Sequence, residues 1–144
     1  MFGQSSTTCV ATGLAMLVVD ASCLIEVLTD GADAAPVREQ LRADPDQVAP
    51  HVIDVEVLST LRRFALLGRL DHTASRQAVE DLRDWPGERY GHRPLLDRAW
   101  ELRHTVRGWD AMYVALAEAL DAPLLTRDQR LVQAEGPRCD FLTP

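Results

Sequence analysis

Met16-Leu-Val-Val-Asp20 is a short apolar run, rich in valine, that stops at a carboxylate. Consecutive apolar residues without alternation mark a strand buried on both faces, as in a parallel sheet covered by helices. Pro123-Leu-Leu-Thr126 has the same character near the other end of the chain and is followed closely by Asp128. Between these two runs the pattern is mostly helical. Ser22 to Thr29 reads as a helix ended by Asp30-Gly31, and Ala34 to Leu41 as a second one before Asp44-Pro45, with a brief strand over Gln47 to Ala49. Pro50 suits the first turn of a helix running to about Leu67, with Val55, Leu58, Leu61 and Ala65 as its inward stripe and Gly68 as its stop. Thr73 is placed to cap a helix whose Ala78, Leu82 and Trp85 share a face. Arg93-Pro94 opens another, with Leu95, Ala99, Leu102 and Val106 inward, and Arg138 to Leu142 reads as a last strand. Gly108 to Leu120 is apolar almost all round, as a helix lying on a sheet would be. Strands alternating with helices predict an α/β fold, mainly parallel, with right-handed crossovers.

A chain of 144 residues is long enough to bury one core without disulfides or a structural metal. No internal repeat or linker divides it. The first fifteen residues fit no element and read as a tail, which leaves residues 16–144 as the domain. The longest apolar region, Cys9 to Leu28, is broken by Asp20 and Glu26, so no membrane span is expected. Cys9, Cys23 and Cys139 form no CxxC and have no histidine at finger-like spacing, which reads as a reducing cytoplasm and no zinc site. All 15 basic residues are arginine; the missing lysine excludes P-loop NTPases and receiver domains.

The net charge of -7 is unevenly spread. Residues 1–56 carry -7, residues 57–107 carry +3 and residues 108–144 carry -3. The middle can therefore offer arginine to phosphates while the ends supply acids. Taken alone, this reads first as arginine on solvated helix faces.

In an open α/β sheet, ligands bind outside the carboxyl ends of the strands, where strand order reverses. Asp20 and Asp128 fall there, although singly each reads as a helix cap before it reads as a ligand. Glu56 lies one to two turns into the Pro50 helix beside the expected apolar stripe, and Asp54, two residues away, must point elsewhere. Asp110 sits in the first turn of the most apolar helix, where the dipole alone favours a negative charge by about 0.3–1 kcal/mol. Together the four change meaning. Two like charges about 4 Å apart repel by roughly 4 kcal/mol at an effective dielectric near 20, so an unneutralised cluster is costly. A divalent cation removes the difficulty, and an all-oxygen set points to Mg²⁺ or Mn²⁺.

Val18-Val-Asp20-Ala-Ser22, Pro50-His-Val-Ile-Asp-Val-Glu56-Val-Leu, Trp109-Asp110-Ala-Met-Tyr-Val-Ala-Leu-Ala117 and Leu125-Thr-Arg-Asp128 occur in this order from about Met16 to Leu142. In that order and spacing they resemble the signature of the PIN-domain ribonucleases, and in a chain this short the VapC-type toxins of toxin–antitoxin pairs. The resemblance implies a three-layer α/β/α fold and Mg²⁺-dependent endonucleolytic cleavage of single-stranded or loop RNA. It implies Asp20 and Asp110 as principal metal ligands and Glu56 as completing the cluster or orienting the attacking water. Asp128 would bind a second ion or act through water, and Ser22 and Thr126 would support the carboxylates by hydrogen bonds. It implies two partners besides RNA: a VapB-type antitoxin whose basic tail crosses the acidic groove, and a second copy in a homodimer. Arg62, Arg63 and Arg107 are candidates for the RNA backbone, with surface placement as the plainer reading. Trp109 and Tyr113 are candidates for base stacking, with core packing as the plainer reading.

Two rivals are weighed. A phosphatase of the haloacid-dehalogenase kind needs an aspartate two positions after the strand-end Asp20, and Ser22 stands there. A PIN-fold module that only binds usually lacks one or more acids, whereas all four positions are filled here.

Overall fold

A computed structural model describes residues 16–44 and 46–144; the expected tail lies outside them. Five strands form one parallel sheet: β1 (Leu17–Val19), β2 (Gln47–Pro50), β3 (Glu88–Tyr90), β4 (Leu124–Leu125) and β5 (Phe141–Leu142). Their spatial order is β3-β2-β1-β4-β5. The chain steps outward from β1 to β3 and then returns to β4 on the other side of β1. With right-handed crossovers, α1 (Ala21–Leu28), α2 (Ala34–Ala43), α3 (Val52–Leu66) and α4 (His72–Asp84) cover one face. On the other lie α5 (Leu96–Glu101), α6 (Gly108–Leu120) and the short α7 (Gln129–Val132), so the fold is a three-layer α/β/α sandwich. The switch in direction falls between β1 and β4, which opens a crevice at their carboxyl ends.

The two apolar runs read as strands are the most buried part of the sheet: Leu17, Val18, Val19, Leu124 and Leu125 have no exposed surface. Val114, Leu116 and Ala117 of α6 are buried with them, as the all-round apolar character of that helix requires.

Several expected details are corrected. On α3 the buried residues are Val52, Ile53, Val57 and Leu61, while Val55 and Leu58 are at least half exposed and Ala65 is exposed. Apolar residues surround the first three turns of this helix, so its periodicity fits two faces, and packing on α1 and β2 selects one of them. Pro50 closes β2 instead of opening α3. The cap of α3 comes from far away: the Val52 N–H donates to His92 Nε2 at 2.9 Å. The cap of α4 is Asp71, not Thr73, its Oδ1 accepting the Ala74 N–H at 2.7 Å. The Arg93 helix is a 3₁₀ turn (Arg93–Leu95), then α5, then turns to Val106; its stripe holds, with Leu95, Leu102 and Val106 buried. The elements β3 and α7 are not apparent in the sequence. The strand Glu-Arg-Tyr pairs with β2 along its backbone and is anchored by Arg89, which pairs with Asp54 at 2.9 Å and donates to the carbonyls of Leu82, Trp85 and Gly87.

Candidate active site

The carboxyl edge of β1 and β4 is built around Asp20. This residue follows β1 with its backbone still extended and caps α1, its Oδ1 accepting the Ser22 N–H at 2.7 Å. Its Oδ2 accepts the Thr126 hydroxyl at 2.6 Å, and Thr126 Oγ1 in turn accepts the Asp128 N–H at 3.0 Å. Thr126 is fully buried and Asp20 is only 6% exposed. One hydroxyl therefore joins the end of β1 to the end of β4. Capping and a site role, alternatives for Asp20 in the sequence, are not exclusive, because each oxygen has lone pairs left over.

Burial pushes the Asp20 carboxyl up from its ordinary value, against the hydrogen bonds of Thr126 and Ser22 and with the charge of Asp128 adding to the rise. Glu56, on the second turn of α3, is pushed up to about 7 by burial first, with the Tyr113 hydrogen bond opposing and the charges of Asp20 and Asp110 adding to the rise. Asp110, in the first turn of α6, is pushed up to about 6 by burial and by Asp20 and Asp128; Arg107 opposes this. The four predicted acids thus lie in one another's field at one edge of the sheet. Asp54 turns away to Arg89, as its spacing from Glu56 demands. Asp110 and Asp128 line a cleft of about 160 Å³ with Arg107 and Arg130 on its rim. Asp128 also caps α7, its Oδ1 accepting the Arg130 N–H at 2.9 Å.

The gathering is looser than one coordination shell. Among the described residues, no three Asp, Glu, His or Cys side chains come close enough together to hold an ion as they stand. The donor chemistry nevertheless fits a hard divalent cation. All the groups are oxygen ligands, three have their charged forms disfavoured, and among the described residues Arg107 is the one cation whose field lowers any of those three.

Two contributors have no signal in the sequence. Tyr113, an alternative stacking or core residue by its spacing, is fully buried and donates its hydroxyl to Glu56 Oε1 at 2.8 Å. Arg127 ties the end of β4 to the other crossover: it pairs with Glu26 at 3.0 Å and Asp33 at 2.6 Å, and its N–H donates to Ser22 Oγ at 3.4 Å. Trp109 departs from the core reading, with 55% of its surface exposed. Arg62 and Arg63 are exposed on α3, in keeping with simple surface placement. Replacing Tyr113 by Phe is expected to lower activity by about 10- to 100-fold, as loss of a supporting hydrogen bond commonly does, at a stability cost of about 1 kcal/mol. Because that bond holds the Glu56 pKa down, the same substitution should move the acid limb of the pH–rate profile upward; an unmoved limb would detach Tyr113 from the site.

The PIN domain family model matches residues 17–137. The chain belongs to the PIN-domain family. Within it, Ribonuclease VapC1 of Mycobacterium tuberculosis is 41% identical over 125 residues, covering 86% of this chain and 94% of that protein. Ribonuclease VapC3 of the same organism is 40% identical over 118 residues, covering 82% of this chain and 86% of its own length. This PIN domain is therefore of the VapC type. Its fold is also that of VapBC2 from Rickettsia felis, solved bound to a promoter DNA fragment, at a TM-score of 0.66 and 9% identity over 90% of this chain and 98% of that one. Similarity at that level is a statement about the fold, and it agrees with the sheet order and layers described above.

Proposed function

We propose that this chain is the toxin of a type II toxin–antitoxin pair and an endoribonuclease that cuts single-stranded or loop RNA in the cytoplasm. The observation that carries the reading is Asp20: a nearly buried carboxylate, fastened on both oxygens, with Glu56, Asp110 and Asp128 close enough to raise one another's pKa or its own. A structural cap does not need three further acids at its side.

Asp20, Asp110, Glu56 and Asp128 would hold one or two Mg²⁺ ions, with Mn²⁺ as an alternative. A bound divalent ion supplies charge stabilisation at a phosphodiester and lowers the pKa of water. The chain's own groups do the rest. Thr126 and Ser22 keep Asp20 oriented, Tyr113 keeps Glu56 oriented, and Glu56 would complete the cluster or orient the attacking water. Arg107 and Arg130, on the rim of the cleft, can hold the flanking phosphates.

The relatives called VapC ribonucleases and the solved VapBC assemblies support a VapB-type antitoxin as the partner, its basic tail neutralising the acidic edge. A homodimer is part of the same proposal. No helix among the described residues is long and apolar enough to cross a membrane, which agrees with a site open to RNA in solution.

The test is cleavage of purified structured and unstructured RNAs with Mg²⁺ or Mn²⁺ and then with excess EDTA. Cutting in the unpaired regions is expected, stopping on chelation and returning when metal is restored. Cleavage that persists in EDTA would remove the metal from the proposal, and no cleavage under any condition would favour a binding-only module.

A further inference from the structure

Two of the three tryptophans stand in solvent, Trp100 at 68% and Trp109 at 55% exposure. The third, Trp85, is accounted for within the fold: its indole N–H donates to Gln47 Oε1 at 2.8 Å and its ring lies under the Arg89 guanidinium. Trp100 lines a groove of about 390 Å³ between α5 and α6 whose walls also include Leu96, Arg103, Arg107 and Met112, and Trp109 follows its wall residue Gly108. Trp109 lies three residues before Met112 and so on the same side of α6. The Arg103 guanidinium sits 4.6 Å from the Trp100 ring centroid. Val106 and Arg107 line both this groove and the cleft that holds Asp110 and Asp128, so the two hollows adjoin across these residues.

The arginines divide into those paired with a carboxylate and those that are not. Arg38, Arg76, Arg83, Arg89, Arg98 and Arg127 each pair with a carboxylate. Arg103, Arg107 and Arg130 form no such pair among the described residues, and neither do Arg42, Arg62, Arg63, Arg69, Arg93 and Arg138; of these nine, Arg103, Arg107 and Arg130 are the ones that line the groove or the cleft. Guanidinium groups without a carboxylate partner beside exposed indoles, next to an acidic cleft, match a strand of alternating phosphates and open base faces. A symmetric contact with a second copy centred here would instead bring Arg103 and Arg107 toward their own equivalents. The apolar groove between α3 and α4 does not adjoin the cleft in this way, since it shares no residue with it.

We propose that the Trp100–Trp109 face of α5 and α6 is a stacking track that holds unpaired RNA bases and feeds the strand past Arg107 into the acidic cleft. The inference rests on the nuclease reading above and adds the substrate-binding surface to it. Stacking needs a free base face, so the track selects unpaired over duplex RNA while tolerating any base.

The experiment measures binding of a fluorescein-labelled, unstructured, mixed-sequence RNA of about 12 nucleotides in EDTA by anisotropy, and cleavage of the same RNA with Mg²⁺. It uses the full chain, Trp100→Ala, Trp109→Ala, Arg103→Gln and Arg107→Gln, with Val79→Ser on α4 as the control and analytical ultracentrifugation of each. Each tryptophan variant should melt like the parent, bind RNA on the order of ten-fold more weakly, and show the loss mainly in KM. Each arginine variant should lower the salt dependence of binding by about one phosphate contact. Parent-like binding by the variants, in a parent that binds and cuts RNA, overturns the track and leaves the nuclease reading intact. If the parent neither binds nor cuts RNA, the nuclease reading fails and takes the track with it. Tryptophan variants that turn a dimer into a monomer at unchanged RNA affinity would assign the face to self-association and overturn the proposal.

Discussion

Asp20→Asn is expected to lower RNA cleavage by more than about 100-fold, beyond the usual effect of removing a group that merely supports a metal ligand, without loss of stability. The two halves of this expectation have separate causes. Asparagine keeps the shape and can still accept the Ser22 N–H, which holds the start of α1 in place. It removes a charge whose burial the fold disfavours, so in EDTA near neutral pH the variant should melt no lower than the parent. Asp20→Ala is the instructive contrast. It leaves the buried Thr126 hydroxyl and the Ser22 N–H without their acceptor, and a cost of about 1–3 kcal/mol is expected for such stranded groups. Cleavage assays beside thermal melts of both variants separate the readings: an asparagine variant that cuts RNA like the parent would reduce Asp20 to a helix cap.

The second large effect is a stability that falls with rising pH in the absence of metal and is restored by it. Asp20 is raised above 3.8, Asp110 to about 6 and Glu56 to about 7, the last from 4.5. Between the unfolded and folded values the folded chain holds more protons than the unfolded one, so stability decreases as pH rises. These acids therefore leave the fold fully stable below about pH 4 and progressively less so up to about pH 7. A cation that binds the deprotonated cluster reverses the loss. A ligand at about 100 times its Kd adds roughly 2.7 kcal/mol, and roughly 3 °C per kcal/mol is reasonable for a domain of this size. Melting curves at pH 5 and pH 7.5, each with EDTA or with millimolar Mg²⁺, should show several degrees of Mg²⁺ stabilisation at the higher pH and little at the lower. Equal Mg²⁺ effects at both would mean that the ion binds elsewhere or not at all.

Both expectations depend on the acids sharing an edge without yet forming one shell. Thr126 and Tyr113 hold Asp20 and Glu56 by single hydrogen bonds, and Asp110 and Asp128 stand in an open cleft. Such an arrangement keeps four carboxylates apart enough to coexist, and the electrostatic cost that remains is what a cation would relieve.

Much of this protein was legible in the residues alone because the decisive signals are local. Met16 to Asp20 and Pro123 to Thr126 read as buried strands since nothing in them needs water, and a carboxylate after such a run can only emerge at the sheet edge. The all-round apolar character of Gly108 to Leu120 likewise announces a helix laid on a sheet. Tertiary structure alone decided what depends on which partner is available. The buried face of α3 was open while apolar residues surrounded its first turns, and packing on α1 and β2 settled it. The strand at Glu88 pairs with β2 and is anchored where Arg89 finds Asp54, and α3 begins where His92 receives the Val52 N–H, contacts spanning 35 and 40 residues. The hold of Tyr113 on Glu56 and of Arg127 on Glu26 and Asp33 is of the same kind. Periodicity records which side of an element avoids water, whereas a hydrogen bond between residues far apart in the chain depends on where folding brings their ends together.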